Sequence, residues 1–192
     1  MAKRTPSTPY AILGLLGIAP MSGYDIKKEA ATSLGYFWSE SYGQIYPALS
    51  ELQSAGFIRR RPGRKGGGRE RQVYEITDEG RSALEAWLAE PPRPTPVRSE
   101  FLLKLFLSDA TGSVRAAQWV EQLLAEETER LSQFRRIRNG LMAEQKDHPS
   151  LPFWLSTLSF GEHRSKAVVR WCRETLKVLR KPATKQRKEK SQ

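Results

Sequence analysis

Seven cationic side chains crowd into residues 57–72: Arg59, Arg60, Arg61, Arg64, Lys65, Arg69 and Arg71, against the single acid Glu70. Charges at that density repel one another unless an anion lies among them, and a phosphate backbone supplies such an anion. Gly66, Gly67 and Gly68 divide the group as turn residues. No Gly-Lys-Ser/Thr follows them, so the segment is not a nucleotide-cradling loop. A second set lies just upstream, where Ser41, Tyr42, Gly43, Gln44, Tyr46, Pro47 and Ser50 are small or able to hydrogen-bond, with no acid before Glu51. Within that set, Gln44 is the best candidate for reading a base edge, because its amide can pair with adenine in two places. Tyr46 is suited to donating to a phosphate oxygen.

Other reactive residues carry no comparable pattern. His148 and His163 are far apart and have no Cys, His or carboxylate at ligand spacing, so no metal site is expected. Cys172 sits on an apolar helical face and reads as a small buried hydrophobe. Glu126, Glu127 and Glu129 read as a solvated helix face, and no nucleophile–base arrangement exists to support catalysis. The sequence therefore implies neither an enzyme nor a cofactor. Trp119, Trp154 and Trp171 are the aromatics that could line a small-molecule effector pocket, although tryptophans at helical spacing more often serve as core.

The elements that position the two sets can be read from periodicity. Tyr10–Ile18 is apolar on nearly every side and suits a short buried helix. Ser22 offers an N-cap with Asp25 as its capping-box partner, and Ile26, Ala30 and Leu34 supply an inward stripe. Ser41 and Gln44 form a second box ahead of Ile45, Leu49, Leu52 and Ala55, with Pro47 near the start of that helix and Gly56 as its stop. Phe57–Arg61 and Arg71–Ile76 then read as strands around the glycine-rich tip. Thr77 can cap a fourth helix whose inward residues are Ala83, Leu84, Trp87 and Leu88. Three helices followed by a basic hairpin is the order of a winged helix-turn-helix, whose third helix fits the ~12 Å major groove while the wing follows the backbone.

Four prolines within residues 91–96 make a stiff connector, and the domain boundary is placed there. Beyond it the chain reads as helical. Phe101–Leu107 is apolar all round and is expected to be buried. A long helix capped by Ser113 carries Val120, Leu124, Leu131, Phe134 and Leu141 on one side. Trp154, Leu158, Gly161, Ser165, Val168, Cys172 and Leu179 recur at nearly coiled-coil spacing. That stripe is long for so small a domain, so part of it, with Phe101 and Leu105, is expected to face a second subunit; packing wholly within the chain is the alternative.

The fold class is thus mainly α: an N-terminal winged helix-turn-helix with a small β-hairpin wing, plus a C-terminal α-helical dimerisation domain. The expected boundaries are 1–90, a linker 91–97, a helical domain 98–180 and a basic tail 181–192.

A resemblance joins these readings. Tyr46-Pro47-Ala48-Leu49-Ser50-Glu51-Leu52, Gly56-Phe57-Ile58 and Tyr74-Glu75-Ile76-Thr77-Asp78-Glu79-Gly80 resemble the PadR family of bacterial transcriptional regulators. Ala11-Ile12-Leu13-Gly14-Leu15-Leu16 and Ser22-Gly23-Tyr24-Asp25-Ile26 are similar to its first two helices, so the likeness spans about residues 8–90. Phe101-Leu102-Leu103-Lys104-Leu105 is similar to the virulence-activator-like helical domain of the family's larger branch. The resemblance implies a homodimer on a pseudo-palindromic operator, released in many relatives by a small, often phenolic or aromatic, effector. By position it implies DNA contacts from Gln44, Tyr46 and the basic wing, with Ser41, Tyr42, Pro47, Ser50 and Tyr74 beside them. Arg71-Gln72-Val73-Tyr74 departs from the basic-residue–tyrosine pair common before the second strand.

Composition bounds the alternatives. With 32 Lys+Arg against 21 Asp+Glu, the formal net charge is +11, which calls for a polyanionic partner. One cysteine excludes an internal disulfide and fits a reducing, cytoplasmic setting. Lys3 and Arg4 ahead of Ala11–Ala19 imitate an export signal, but Pro20 fits poorly after a cleavage site and the run is needed as a packing partner. The expected function is sequence-specific gene control, with repression preferred. The rival reading is a nucleoid-associated or scaffold protein that binds DNA without sequence choice. An anionic-membrane module is disfavoured, because no helix pairs a basic face with an exposed apolar one.

Overall fold

The computed structural model describes residues 7–35, 37–38, 42–61, 72–92, 98–108 and 113–180. The chain divides into two compact units, Met1–Thr95 and Pro96–Gln192.

In the first unit, α1 (Thr8–Ile18) buries Ile12, Leu13, Leu15 and Leu16. A two-residue strand β1 (Met21–Ser22) leads into α2 (Gly23–Glu29), where the capping box forms as the sequence predicts. The Asp25 amide donates to Ser22 Oγ at 3.2 Å, and the Ser22 amide donates to Asp25 Oδ2 at 3.2 Å. Past Glu29 the helix widens into a π-helical turn, Ala30–Leu34, where the Thr32 and Ser33 hydroxyls donate back to the carbonyls of Lys28 and Glu29. A short turn, Tyr42–Gln44, precedes α3 (Ile45–Ser54). Here the second capping box fails: Gln44 occupies the N-cap position itself, and no side chain caps the helix. The tight turn before Ile45 moves the helix start about three residues later than Ser41 would set it. Gly56, at φ +76°, ends α3 in the left-handed conformation that glycine tolerates best.

Strands β2 (Ile58–Arg61) and β3 (Val73–Ile76) pair antiparallel in the register Ile58 with Ile76 and Arg61 with Val73. The sheet has a third strand that periodicity does not reveal: β1 pairs with the other edge of β3, Met21 opposite Tyr74. Helix α4 (Asp78–Ala89) follows, capped by Thr77 Oγ1, which accepts from the Gly80 amide at 3.1 Å. The same hydroxyl donates to the Gly56 carbonyl at 2.8 Å, joining the end of α3 to the start of α4. Leu84 packs on the core and Trp87 stacks on Tyr10, their ring centroids 4.8 Å apart. Leu88, expected to point inward, is 65% exposed, because Leu84 and Trp87 supply the inward face and the residue after Trp87 is turned away from it around the helix.

In the second unit, α5 (Glu100–Phe106) is capped by Ser99. Its all-round burial is not found. Only Phe101 and Leu105 lean on the core, while Leu102, Leu103, Phe106 and Leu107 are exposed and Phe106 is 85% open. A seven-residue helix on the flank of two long ones can present just one face to them.

Those two are α6 (Ser113–Glu144) and α7 (Leu151–Leu179), an antiparallel pair. Arg138 meets Glu162, Glu127 meets Ser165 and Glu121 meets Arg180 as the chains run in opposite directions. Their seam takes up four of the residues expected to face a second subunit. Leu158, Gly161, Ser165 and Cys172 are buried within this chain against α6, with Val168 and Trp154 half-buried beside them. The small residues do admit a close partner helix, and that partner is α6.

At mid-seam the buried Glu127 carboxylate accepts from Ser165 Oγ, with Arg130 at 3.5 Å and Arg164 at 3.8 Å. Glu127, read from sequence as part of a solvated face, is therefore an interior group. Burial pushes the Cys172 thiol up from its ordinary range, and the Glu127 charge adds to the rise. A thiol held protonated in this way is a poor nucleophile.

One close approach lends itself to a test. A Cβ built on Gly80 would lie 2.1 Å from the Phe57 carbonyl oxygen, backbone that cannot swing aside. Gly80→Ala is expected to cost about 2 kcal/mol, the scale of overpacking, read as a lower denaturation midpoint of the full chain. An unchanged midpoint would show that α4 and the residue leading into β2 do not meet this tightly.

Candidate nucleic-acid interface

Helix α3 is amphipathic, and its rotation is set by what it buries. Ile45, Ala48, Leu49 and Leu52 enter the core with α1 and α2, which leaves Gly43, Gln44, Tyr46, Pro47, Ser50 and Glu51 in solvent. Four of the proposed contact residues, Gln44, Tyr46, Pro47 and Ser50, therefore share one open surface. Tyr46 is open on one side only. Its ring lies over Gly23 at the start of α2, where an added Cβ would be 2.9 Å from Cε1 and 3.2 Å from Leu49 Cδ1. The missing side chain at residue 23 lets the tyrosine lie against the protein with its outer edge free.

Beside α3, β2 carries three consecutive exposed arginines. Arg59 Nε lies 2.6 Å from Glu75 Oε1 on β3, and Arg61 Nε lies 3.9 Å from the other oxygen of that carboxylate. Arg60 turns the other way, its Nε donating to Gln53 Oε1 in the last turn of α3 at 3.0 Å. The helix and the strand are thus linked side chain to side chain. An exposed pair such as Arg59–Glu75 adds little stability, but it holds an extended cation in place.

Ser41, Arg64, Lys65, Arg69 and Arg71 lie outside the described residues. Tyr74 is half-buried against the core and faces Met21 and Arg60 across the sheet, so its ring body serves packing. Three participants were not singled out from sequence as site residues: Gly23, Gln53 and Glu75. Glu75 was legible in principle, since it is the acid directly opposite Arg59 in the hairpin register. Gln53 and Gly23 act through tertiary contacts that no local pattern announces.

Of the effector candidates, Trp119 lines an open cavity with Phe101, and Trp171 touches Phe101 edge-on at 6.0 Å. Trp154 stands elsewhere, stacked on His148 at 4.4 Å, some seventeen residues or roughly 25 Å along α7 from Trp171 at 1.5 Å per residue. The three do not converge. Among the described residues no group of three His, Cys, Asp or Glu side chains is placed to hold a metal, and no helix is long and apolar enough to cross a membrane.

A third helix with one buried and one polar open face, flanked by an arginine-bearing hairpin, defines a winged helix-turn-helix. Comparison with known proteins agrees. The transcriptional regulator PadR-like family matches residues 12–86, and the virulence activator alpha C-terminal family matches residues 97–180. The negative transcriptional regulator PadR of Bacillus subtilis is 33% identical over 181 residues, covering 90% of this chain and 97% of that protein. Its crystal structure with operator DNA superposes with a TM-score of 0.77 at 32% identity, over 91% of this chain and 99% of that one. Its structure with p-coumaric acid superposes at 0.72 and 31% identity, over 92% and 100%. The Vibrio cholerae virulence activator AphA superposes at 0.68 with 28% identity, over 90% and 98%. The chain belongs to the PadR-like family of transcriptional regulators, and it is not an enzyme.

The Tyr46–Gly23 contact predicts a coupling. Gly23→Ala should lose about 1 kcal/mol of stability, and most of that loss should vanish in a Tyr46→Ala background, as for residues in direct contact. Denaturant titration of the two single variants and the double one reads it; strictly additive losses would place the ring away from residue 23.

Proposed function

We propose that this chain is a homodimeric, sequence-specific repressor that binds a pseudo-palindromic operator and is released by a small effector. The observation that carries the reading is the open face of α3, with Gln44, Tyr46 and Ser50 exposed beside Arg59, Arg60 and Arg61. Residues 1–90 then form the DNA-binding domain, 91–97 the linker, 98–180 the dimerisation domain and 181–192 a basic tail. In this assignment Gln44 reads a base edge, and Tyr46 and the arginines neutralise or contact phosphates. The Bacillus subtilis relative crystallised on operator DNA and with p-coumaric acid supports both the DNA and the effector parts of the reading. A regulator of this kind works in the cytoplasm of a bacterial cell, and the inert, unpaired Cys172 is compatible with that compartment.

The proposed dimer face lies on the far side of α7. With one side of α7 buried against α6, Phe153, Phe160 and Val178 recur on the opposite side, Phe153 at 74% and Phe160 at 69% exposure. Together with Phe106 on α5 they form apolar surface that a monomer in water leaves uncovered. A second copy of this chain covers it. Two-fold symmetry in the protein matches a pseudo-palindromic operator, whose half-sites lie about 34 Å apart.

Binding to operator should exceed binding to random duplex by ~10³-fold or more at physiological salt. Gln44→Ala should relax base preference at one position in each half-site. Arg69→Ala should weaken binding to all sequences and flatten the salt slope by about one unit per lost phosphate contact per protomer. Fluorescence anisotropy on both duplexes across a salt series separates these outcomes, and equal affinity for the two duplexes would leave only the nucleoid-type reading. Phe160→Glu should convert the dimer to a monomer in sedimentation analysis and abolish tight operator binding. A stable dimer of that variant would move the interface elsewhere.

A further inference from the structure

The cavity beside Trp119 has chemistry of its own. It is an open cleft of about 370 Å³ between α5 and α6. Its apolar walls are Phe101, Trp119 and Leu123, and its polar groups are Glu100, Lys104 and Glu126 with the Gln122 amide. Trp119, Gln122, Leu123 and Glu126 fall on one face of α6 at helical spacing, so the wall is continuous. Phe101 and Leu123 pack on the buried Ala117, Val120, Cys172 and Leu176, and Trp171 meets the Phe101 ring at 77°. The apolar side is therefore anchored in the core of this unit, and its size suits a small organic molecule.

Charge decides which molecule. Lys104 Nζ is already paired with Glu100 at 2.6 Å. Glu126 accepts from Gln122 at 2.9 Å, and among the described residues no cation stands beside it. Among the described residues the cavity thus offers two aromatic walls and two carboxylates against one ammonium, a net negative lining. Aromatic faces attract cations through the ring quadrupole, and a carboxylate adds a direct charge partner. An acid would meet two carboxylates, with the Lys104 ammonium shared with Glu100 as the one cation of the lining among the described residues.

We propose that this cavity binds a small aromatic cation, an organic amine or quaternary ammonium, with its nitrogen at Glu126 and its apolar body between Phe101 and Trp119. The preference is opposite in sign to that suited to a phenolic acid. That such an occupant also alters DNA binding rests on the regulatory reading above; the binding itself does not.

The test titrates the full-length, DNA-free protein with phenethylamine and with 3-phenylpropionate, a pair matched in size and opposite in charge, by calorimetry. The amine is expected to bind at least ten-fold more tightly than the acid. Glu126→Gln should cut amine affinity about ten-fold and remove the preference, whereas Trp119→Ala should weaken the amine while leaving the fold intact by circular dichroism. Equal or tighter binding of the acid overturns the proposal, as does no amine binding at millimolar concentration or full amine affinity in Glu126→Gln. A parallel anisotropy titration on operator DNA separates the two claims. Release by the amine supports the effector role, and unchanged DNA affinity with the amine bound refutes that role alone.

Discussion

The rotation of α3 about its own axis is the constraint on which the rest depends. Ile45, Ala48, Leu49 and Leu52 are buried together. Turning the helix to hide Gln44, Tyr46 and Ser50 would bring those apolar groups into water, at a cost on the order of 5 kcal/mol or more. That penalty is comparable to the whole stability of a small domain, so the polar face has no alternative but to face outward. The neighbours then fix the helix in place. Gly23 receives the Tyr46 ring, Gly56 lets the chain leave α3 sharply, and Thr77 joins that exit to the start of α4. Arg60 to Gln53 adds a direct link from the wing strand back to the helix. A rigid presenting surface results, and rigidity is what a protein needs to discriminate one base edge from another.

Much of the first unit was legible because its signals are local. A capping box at Ser22, a glycine stop at residue 56 and a threonine cap at residue 77 each involve residues within a few positions of one another, and the strands β2 and β3 announce themselves by their own short β-type runs. The failures share a cause. The strand Met21–Ser22 is two residues long and exists only because β3 offers it an edge. Gln44 looks like the closing residue of a capping box, yet the tight turn before α3 makes it the N-cap. Gly23 and Gly80 matter for what approaches them from elsewhere in the fold, and no window of sequence contains that information.

The second unit yields a different lesson. The spacing of Leu158, Gly161, Ser165 and Cys172 announces a closely packed helix partner without naming its chain, and α6 takes the place. What periodicity concealed is that α7 is apolar on both sides, with Phe153, Phe160 and Val178 opposite the seam. A helix with two apolar faces can join an intrachain core to an interface between copies. At the centre of the seam, Glu127 with Ser165, Arg130 and Arg164 keeps α6 and α7 in one register, a role for which buried polar groups are well suited.

The central claim, that the open face of α3 meets DNA, is most directly tested by site-specific photocrosslinking. The photoreactive p-benzoylphenylalanine is placed at Ser50 on α3 and, as the control, at Glu85 on the exposed side of α4. Irradiation of each with operator duplex should attach DNA at residue 50 and not at residue 85. Crosslinks of equal yield at both, or at residue 85 alone, would contradict the account.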